Sequence, residues 1–227
     1  MASLPRNLTL AALMLVGALT AGCQLMALPY FFLPGMEPKR TPEFPLASTE
    51  KDKVVKVLIL SQASLETRPE FLRVDRDLAQ MLSQEMQTTF KKNKEKVVMV
   101  ANSQVEKYKD EHPNWKAMQA VEIGKNFHAD YVIELEVNQI SLYEPGSYNT
   151  FFRGRCDISM VVHDVHKSSE GPVWTGEYST EFPKARGPID ASSGSVAQFR
   201  QKFLGVVARE LSWRFSAHLL EEDYKCE

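Results

Sequence analysis

Beyond residue 53 the apolar positions fall into two rhythms. Residues 131–138 alternate strictly: Tyr131, Ile133, Leu135 and Val137 point one way, and Glu134, Glu136 and Asn138 the other, so a strand with one buried and one wet face is predicted. β-branched runs over 54–60 and 97–100 predict two earlier strands, and alternation over 151–165 and 173–182 predicts two later ones. Helical spacing takes over in between. Leu78, Met81, Leu82, Met86 and Phe90 mark one helix, with Asp75 as its expected cap and Lys91 and Lys92 at its negative end. Ser103 and Glu106 have capping-box spacing for a short helix to about Tyr108, and Pro113 is expected to open another through Phe127. Phe199, Phe203, Val207, Leu211, Phe215 and Leu219 recur every fourth residue and predict a last helix over 195–220, its stripe buried in the core.

The order β-α-β-α-β-β-β followed by a long C-terminal helix gives the α/β class, with a mixed sheet of about five strands and helices packed on it. Right-handed crossovers make the first three strands parallel. The polar runs 144–149 and 167–172 are turn compositions, so hairpins join the last three.

Upstream the pattern changes. Pro29, Pro34, Pro38, Pro42 and Pro45 exclude a regular helix and predict an extended tether. Its first part, 25–33, is apolar and carries Tyr30, Phe31 and Phe32, which either enter a lipid interface or pack on the domain. Still earlier, Arg6 precedes an apolar core over 8–19 with small residues after it, which is signal-peptide organisation. Leu19-Thr20-Ala21-Gly22-Cys23 resembles a bacterial lipobox, with Thr20 departing from the usual leucine. The resemblance implies a diacylglyceryl group on Cys23, cleavage after Gly22, and acylation of the new amino group. Gln24 stands where an aspartate would imply inner-membrane retention, so the periplasmic face of the outer membrane is the implied address. An uncleaved anchor is the competing reading, and Gly17, Gly22, Pro29 and Pro34 count against it. The organisation expected is therefore a signal peptide over 1–22, lipidated Cys23 and tether over 23–52, and one periplasmic domain over 53–227.

A formal net charge of −2 argues against a nucleic-acid partner, which calls for a basic stripe. With Cys23 lipidated, Cys156 and Cys226 are the pair left for a disulfide. Alternation turns Cys156 into the core, while Cys226 would have to fold back from a polar tail, so a bridge is not expected.

The candidate chemistry is sparse. His163 and His166 have His-x-x-His spacing, but in a strand an odd separation points them to opposite faces, so no metal is expected. Glu134 and Glu136 share a face, and cross-strand pairing with Arg153, Arg155 and Asp157 is their simplest explanation. Ser192-Ser193-Gly194-Ser195 reads as a helix-entry loop rather than a nucleophile elbow. No catalytic set and no cofactor are therefore predicted. Tyr143, Tyr148, Phe151 and Phe152 cluster around the turn 144–149, where aromatic side chains either anchor a partner or cap the end of the core.

Ala129-Asp130-Tyr131-Val132-Ile133 opening a strand, Arg153-Gly154-Arg155 in the next and Gly171-Pro172-Val173-Trp174 opening another, behind a lipobox and tether, resemble the periplasmic α/β lipoprotein domains of the curli-secretion channel lipoprotein group. Similar domains occur in the penicillin-binding-protein activator lipoprotein B and at the amino terminus of the Tol-system translocation protein. The resemblance implies a non-enzymatic envelope protein, anchored by lipid and working through an envelope protein partner. An envelope hydrolase resting on Glu134 and Glu136 and an oligomeric channel or scaffold are the alternatives. The short polar connections disfavour a pore former.

Overall fold

The computed structural model describes residues 38–50, 52–64, 71–167 and 171–221. The chain divides into two compact units, 1–39 and 40–227, and the second carries the fold that follows. Cys23, the lipobox, the stretch 25–33 and Cys226 lie outside the described residues.

Strand β1 (Val55–Ala63) leads into helix α1 (Val74–Asn93), strand β2 (Val97–Met99) and helix α2 (Asn102–Glu111). A 3-10 turn (Trp115–Ala117) and the short helix α3 (Ala120–Asn126) precede β3 (Tyr131–Tyr143), β4 (Phe151–Asp164) and β5 (Trp174–Phe182). Strand β6 (Ile189–Asp190) and helix α4 (Val196–Ser212) follow. The sheet runs β2-β1-β3-β4-β5, with the two-residue β6 also paired to β4. β1 is parallel to β2 and β3, and the pairs β3/β4 and β4/β5 are antiparallel. The mixed α/β sheet is thus the one expected.

Each face of the sheet has its own core. Val55, Val57 and Ile59 of β1, Ile133, Leu135 and Val137 of β3, and Ile158, Met160 and Val162 of β4 pack under α1 and α4. On the other face Leu58 and Leu60 of β1 and Val132 of β3 meet Val105, Val121 and Ile123 of α2 and α3. That second layer covers β1 and part of β3, and the odd-numbered positions of β4 beyond it are half-buried. β1 is therefore apolar on both faces, as a strand roofed on both sides must be, whereas β3 and β4 alternate.

Several element boundaries differ from the sequence expectation. Arg73, in the left-handed region at φ 65°, is the N-cap of α1, and Asp75 sits inside the first turn beside Asp77, where a carboxylate suits the positive helix end. Ser103 and Glu106 make no capping box. Ala101 is the cap of α2, and Glu106 is drawn instead to Arg76 (2.5 Å) and Lys109 (2.9 Å). The helix expected over 113–127 is broken at Met118 and Gln119, both extended, into a 3-10 turn and α3. The last helix ends at Ser212 rather than Leu220. Ser195, the last residue of the expected helix-entry loop, is its N-cap, the Oγ accepting from the Gln198 N–H at 3.2 Å. Segment 43–47 lies along the chain that follows: the N–H of Phe44 donates to the Arg214 carbonyl, and Leu46 is fully buried.

Asp130 fixes the entry to β3. Its carboxylate accepts the Lys56 backbone N–H at 2.7 Å and faces His166 Nε2 at 3.0 Å, and its own N–H donates to the Lys56 carbonyl at 2.7 Å. Burial pushes this carboxyl group up, but the two hydrogen bonds outweigh it and hold the group below its ordinary value. A carboxylate depressed in the folded state contributes stability above its unfolded value of about 4, and that contribution vanishes as pH falls through the folded value. Asp130→Asn is expected to cost about 1–2 kcal/mol at neutral pH, with the difference from wild type closing in denaturant titrations as pH falls below the ordinary carboxylate range. A deficit that stays constant with pH would contradict this.

Candidate functional site

The turn between β3 and β4 carries the candidate contact residues, and hydrogen bonds within it set its shape. The Glu144 N–H donates to the Phe151 carbonyl (3.0 Å), Ser147 N–H to the Glu144 carbonyl (3.1 Å) and Thr150 N–H to the Ser147 carbonyl (3.0 Å). Gly146, Tyr148 and Asn149 all adopt positive φ. For an aromatic residue such as Tyr148 this conformation is uncommon and costs backbone energy, and it leaves the side chain 96% exposed.

The four aromatic residues separate into two pairs. Tyr148 and Phe151 face outward. Phe152 is buried, stacked on Phe199 with ring centroids 4.7 Å apart, and Tyr143 lies against it at 5.3 Å. Phe152 and Tyr143 thus close the end of the core, one of the two roles the sequence left open. Ile189, which no periodicity singled out, is exposed too, but β6 sets it opposite Phe152, on that residue's side of the strand, and Asp190 opposite Phe151. A two-residue strand has too few positions for alternation to be read. Tyr148 and Phe151 are left as exposed aromatic groups on the turn and on the strand that leaves it.

The second-face carboxylates are placed differently from the sequence expectation. Arg153 and Arg155 do not reach Glu134 or Glu136. They converge on Glu144 (3.5 and 3.3 Å), and Arg155 also reaches Glu181 (3.4 Å). The register explains this, since Glu134 lies opposite Val161 and Glu136 opposite Ser159, while Arg155 lies opposite Ser141 and Glu181. Asp157 accepts the Ser179 hydroxyl at 2.6 Å. Glu134 instead takes His163 Nε2 at 2.7 Å, and both glutamates line a cavity of about 120 Å³ with Trp115 and Gln62. Ser159, whose hydroxyl is on the same cavity wall, donates to Glu177 at 2.9 Å. A nucleophile needs its proton taken by a base, and this proton is directed at a different carboxylate from the one that orients His163.

His166 falls in the 3-10 turn Val165–Lys167 and pairs with Asp130, so the two histidines serve separate carboxylates. Among the described residues no three His, Cys, Asp or Glu side chains come together as a metal set. Cys156 is buried, and burial, followed by the charges of Asp157 and Glu210, pushes its thiol well above the ordinary range, which keeps it unreactive.

Sequence reading missed Glu210 altogether. This carboxylate sits inside α4 at 8% exposure and accepts from the Tyr178 hydroxyl (2.6 Å), Lys184 Nζ (2.6 Å) and the Thr180 hydroxyl (3.4 Å). Its neighbours come from β5 and the loop after it, a juxtaposition created by packing and invisible in spacing.

No protein-family model and no curated protein matches the chain. Solved structures do. The chain is similar to the PelC dodecamer subunit from Paraburkholderia phytofirmans, at 12% identity and a TM-score of 0.41 over 79% of this chain and 99% of that one. It is similar also to a lipoprotein from Neisseria meningitidis, at 10% identity and a TM-score of 0.42 over 69% and 98%. The C-terminal domain of LpoB from Salmonella enterica matches at 17% identity and a TM-score of 0.29 over 57% and 86%. At such identities the likeness is one of fold alone.

Proposed function

We propose that the protein is a membrane-anchored lipoprotein of the cell envelope that works without catalysis, as a binding or assembly module for another envelope protein. The β3–β4 turn is its contact surface. The observation that carries this reading is the exposure of Tyr148 and Phe151, held out by a hydrogen-bonded turn at the end of the sheet. Aromatic groups presented in this way lose little entropy on binding. The lipobox at residues 19–23 supports the address: Cys23 carries the lipid, the chain between it and the packed segment 43–47 stands the domain off the membrane, and the outer membrane's periplasmic face is the location.

Two measurements test it. Metabolic labelling with a fatty-acid analogue should mark the wild type and not Cys23→Ala, and label that survives the substitution removes the anchor. Photo-crosslinking from position 148 in intact cells should trap one discrete envelope protein. The double substitution Tyr148→Ala and Phe151→Ala should abolish recovery of that partner while shifting the thermal midpoint little, because exposed side chains contribute about 0.5 kcal/mol or less to stability. Undiminished recovery would move the interface elsewhere.

A further inference from the structure

A cavity of about 570 Å³ opens where the first two crossovers part, and nothing in the contact reading uses it. β1 and β2 are parallel neighbours, yet the helices that leave them go to opposite faces: Val74, Leu78 and Leu82 of α1 enter one core, and Val105 of α2 enters the other. In open α/β sheets the crevice beyond the carboxyl ends of two such strands is where ligands bind. One stripe of α1, from Arg73 through Gln80 to Gln87, forms one side of the cavity, and the start of α2 forms the other. The two helices are tied together there, the Asn102 side-chain amide donating to the Arg76 carbonyl at 3.5 Å and Arg76 Nε meeting Glu106 at 2.5 Å.

The start of α2 is left with free donors. Gln104 and Val105 turn their N–H groups back to the Ala101 carbonyl, no side chain caps the helix, and the N–H groups of Asn102 and Ser103 have no acceptor among the described residues. No acidic residue stands in this first turn to offset the positive helix end. Of the charged groups on the wall, Asp77 is held by Arg200 at 2.7 Å and Glu106 by Lys109 at 2.9 Å, while Arg76 binds Glu106 and Asp110. The Arg73 guanidinium, by contrast, makes no ion pair or hydrogen bond among the described residues. Ser83 is on the same wall at 8% exposure, and its hydroxyl likewise has no hydrogen-bond partner among the described residues. A buried polar group gains most from a partner, so this hydroxyl marks a place for one. Gln80, Gln84 and Gln87 beside it carry amides that both donate and accept, as hydroxyl groups require, whereas Ala101 is the one apolar residue on the described wall. We propose that this crevice binds a small hydroxylated anion, a sugar acid or a sugar phosphate. Its oxyanion lies on the Asn102 and Ser103 N–H groups with Arg73 as counter-charge, and its hydroxyls lie on Ser83 and the glutamines.

The full chain in maltoside micelles is titrated in turn with inorganic phosphate, glucose phosphate, acetate and gluconate, at ionic strength held constant with chloride. Binding is read from the backbone amide resonances of Asn102 and Ser103. These should shift and saturate, while that of Ser179, on the strand at the far edge of the sheet, stays in place. Arg73→Gln should raise the half-saturation concentration about tenfold, the loss expected for one charge-assisted contact. Ser83→Ala should raise it about fivefold for glucose phosphate or gluconate and leave the simple ions unchanged. Saturation confined to the two phosphates assigns a phosphoryl group, and saturation confined to acetate and gluconate assigns a carboxylate. Arg73 is exposed and Ser83→Ala removes only an unpaired hydroxyl, so both variants should fold. No saturable shift with any of the four, or a shift that Arg73→Gln leaves unchanged, overturns the proposal. Equal affinity for each simple ion and its hydroxylated counterpart overturns the part assigned to Ser83 and the glutamines. The Tyr148→Ala and Phe151→Ala protein should titrate as wild type, so this test and that of the contact surface fail independently.

Discussion

Phe203→Ala should lower the unfolding free energy by about 3–5 kcal/mol, the ordinary cost of emptying a fully enclosed phenylalanine site. Phe203 on α4 has no exposed surface, and its ring lies flat against the backbone of Gly154 in β4. A Cβ added at Gly154 would come within 2.6 Å of that ring. Gly154→Ala is therefore expected to cost about 1–3 kcal/mol as overpacking, even though alanine is otherwise the better strand residue. The two changes should not add. With Phe203 reduced to alanine the space over Gly154 opens, and the second substitution should cost little or even recover stability. Chemical denaturation of the four proteins, compared at unchanged m-value, measures this coupling. Strict additivity would mean that the ring does not rest on the glycine.

That pair also shows what the sequence can and cannot disclose. Alternation located β3 and β4, and the fourfold repeat located α4, because burial on one face imposes a period that composition records. The same repeat misled at the helix end. Phe215 and Leu219 continue the stripe and are buried, yet the helix stops at Ser212, whose hydroxyl donates to the Arg209 carbonyl while the Arg214 and Phe215 N–H groups close tight turns. Burial persisted after the helix had ended, and a period reports burial rather than backbone. The Arg-Gly-Arg segment at 153–155 was visible as a pattern, but its reason lay in another element: the glycine admits Phe203, and the flanking arginines reach Glu144 and Glu181. Of the aromatic turn, the sequence supplied the cluster and the fold supplied its division. Phe151 and Phe152 are neighbours on a strand and so point to opposite sides. Glu210, by contrast, gains its significance from Tyr178 and Lys184, 32 and 26 residues away along the chain, and no local rule reaches that far.

Removing the Tyr178 hydroxyl or the Lys184 charge should expose how Glu210 is tolerated inside α4. A carboxylate at 8% exposure persists because three donors surround it, and each loss leaves part of a buried charge uncompensated. Burial first, and then the neighbouring negative charge, push the Tyr178 hydroxyl far above its ordinary range, so it stays protonated and remains the donor at any working pH. Tyr178→Phe is expected to cost about 1–3 kcal/mol. Lys184 is itself 41% exposed, so solvent screens part of its pairing, and Lys184→Met should cost about 2 kcal/mol rather than the larger penalty of a fully enclosed pair. The decisive comparison is the double variant Lys184→Met and Glu210→Leu. Once the carboxylate is gone there is no charge left to compensate, and a buried apolar side chain of similar size adds to the core that Tyr178 already belongs to, so most of the lost stability should return. A double variant less stable than Lys184→Met alone would show that the carboxylate contributes more through its bonds to Tyr178 and Thr180 than its burial costs.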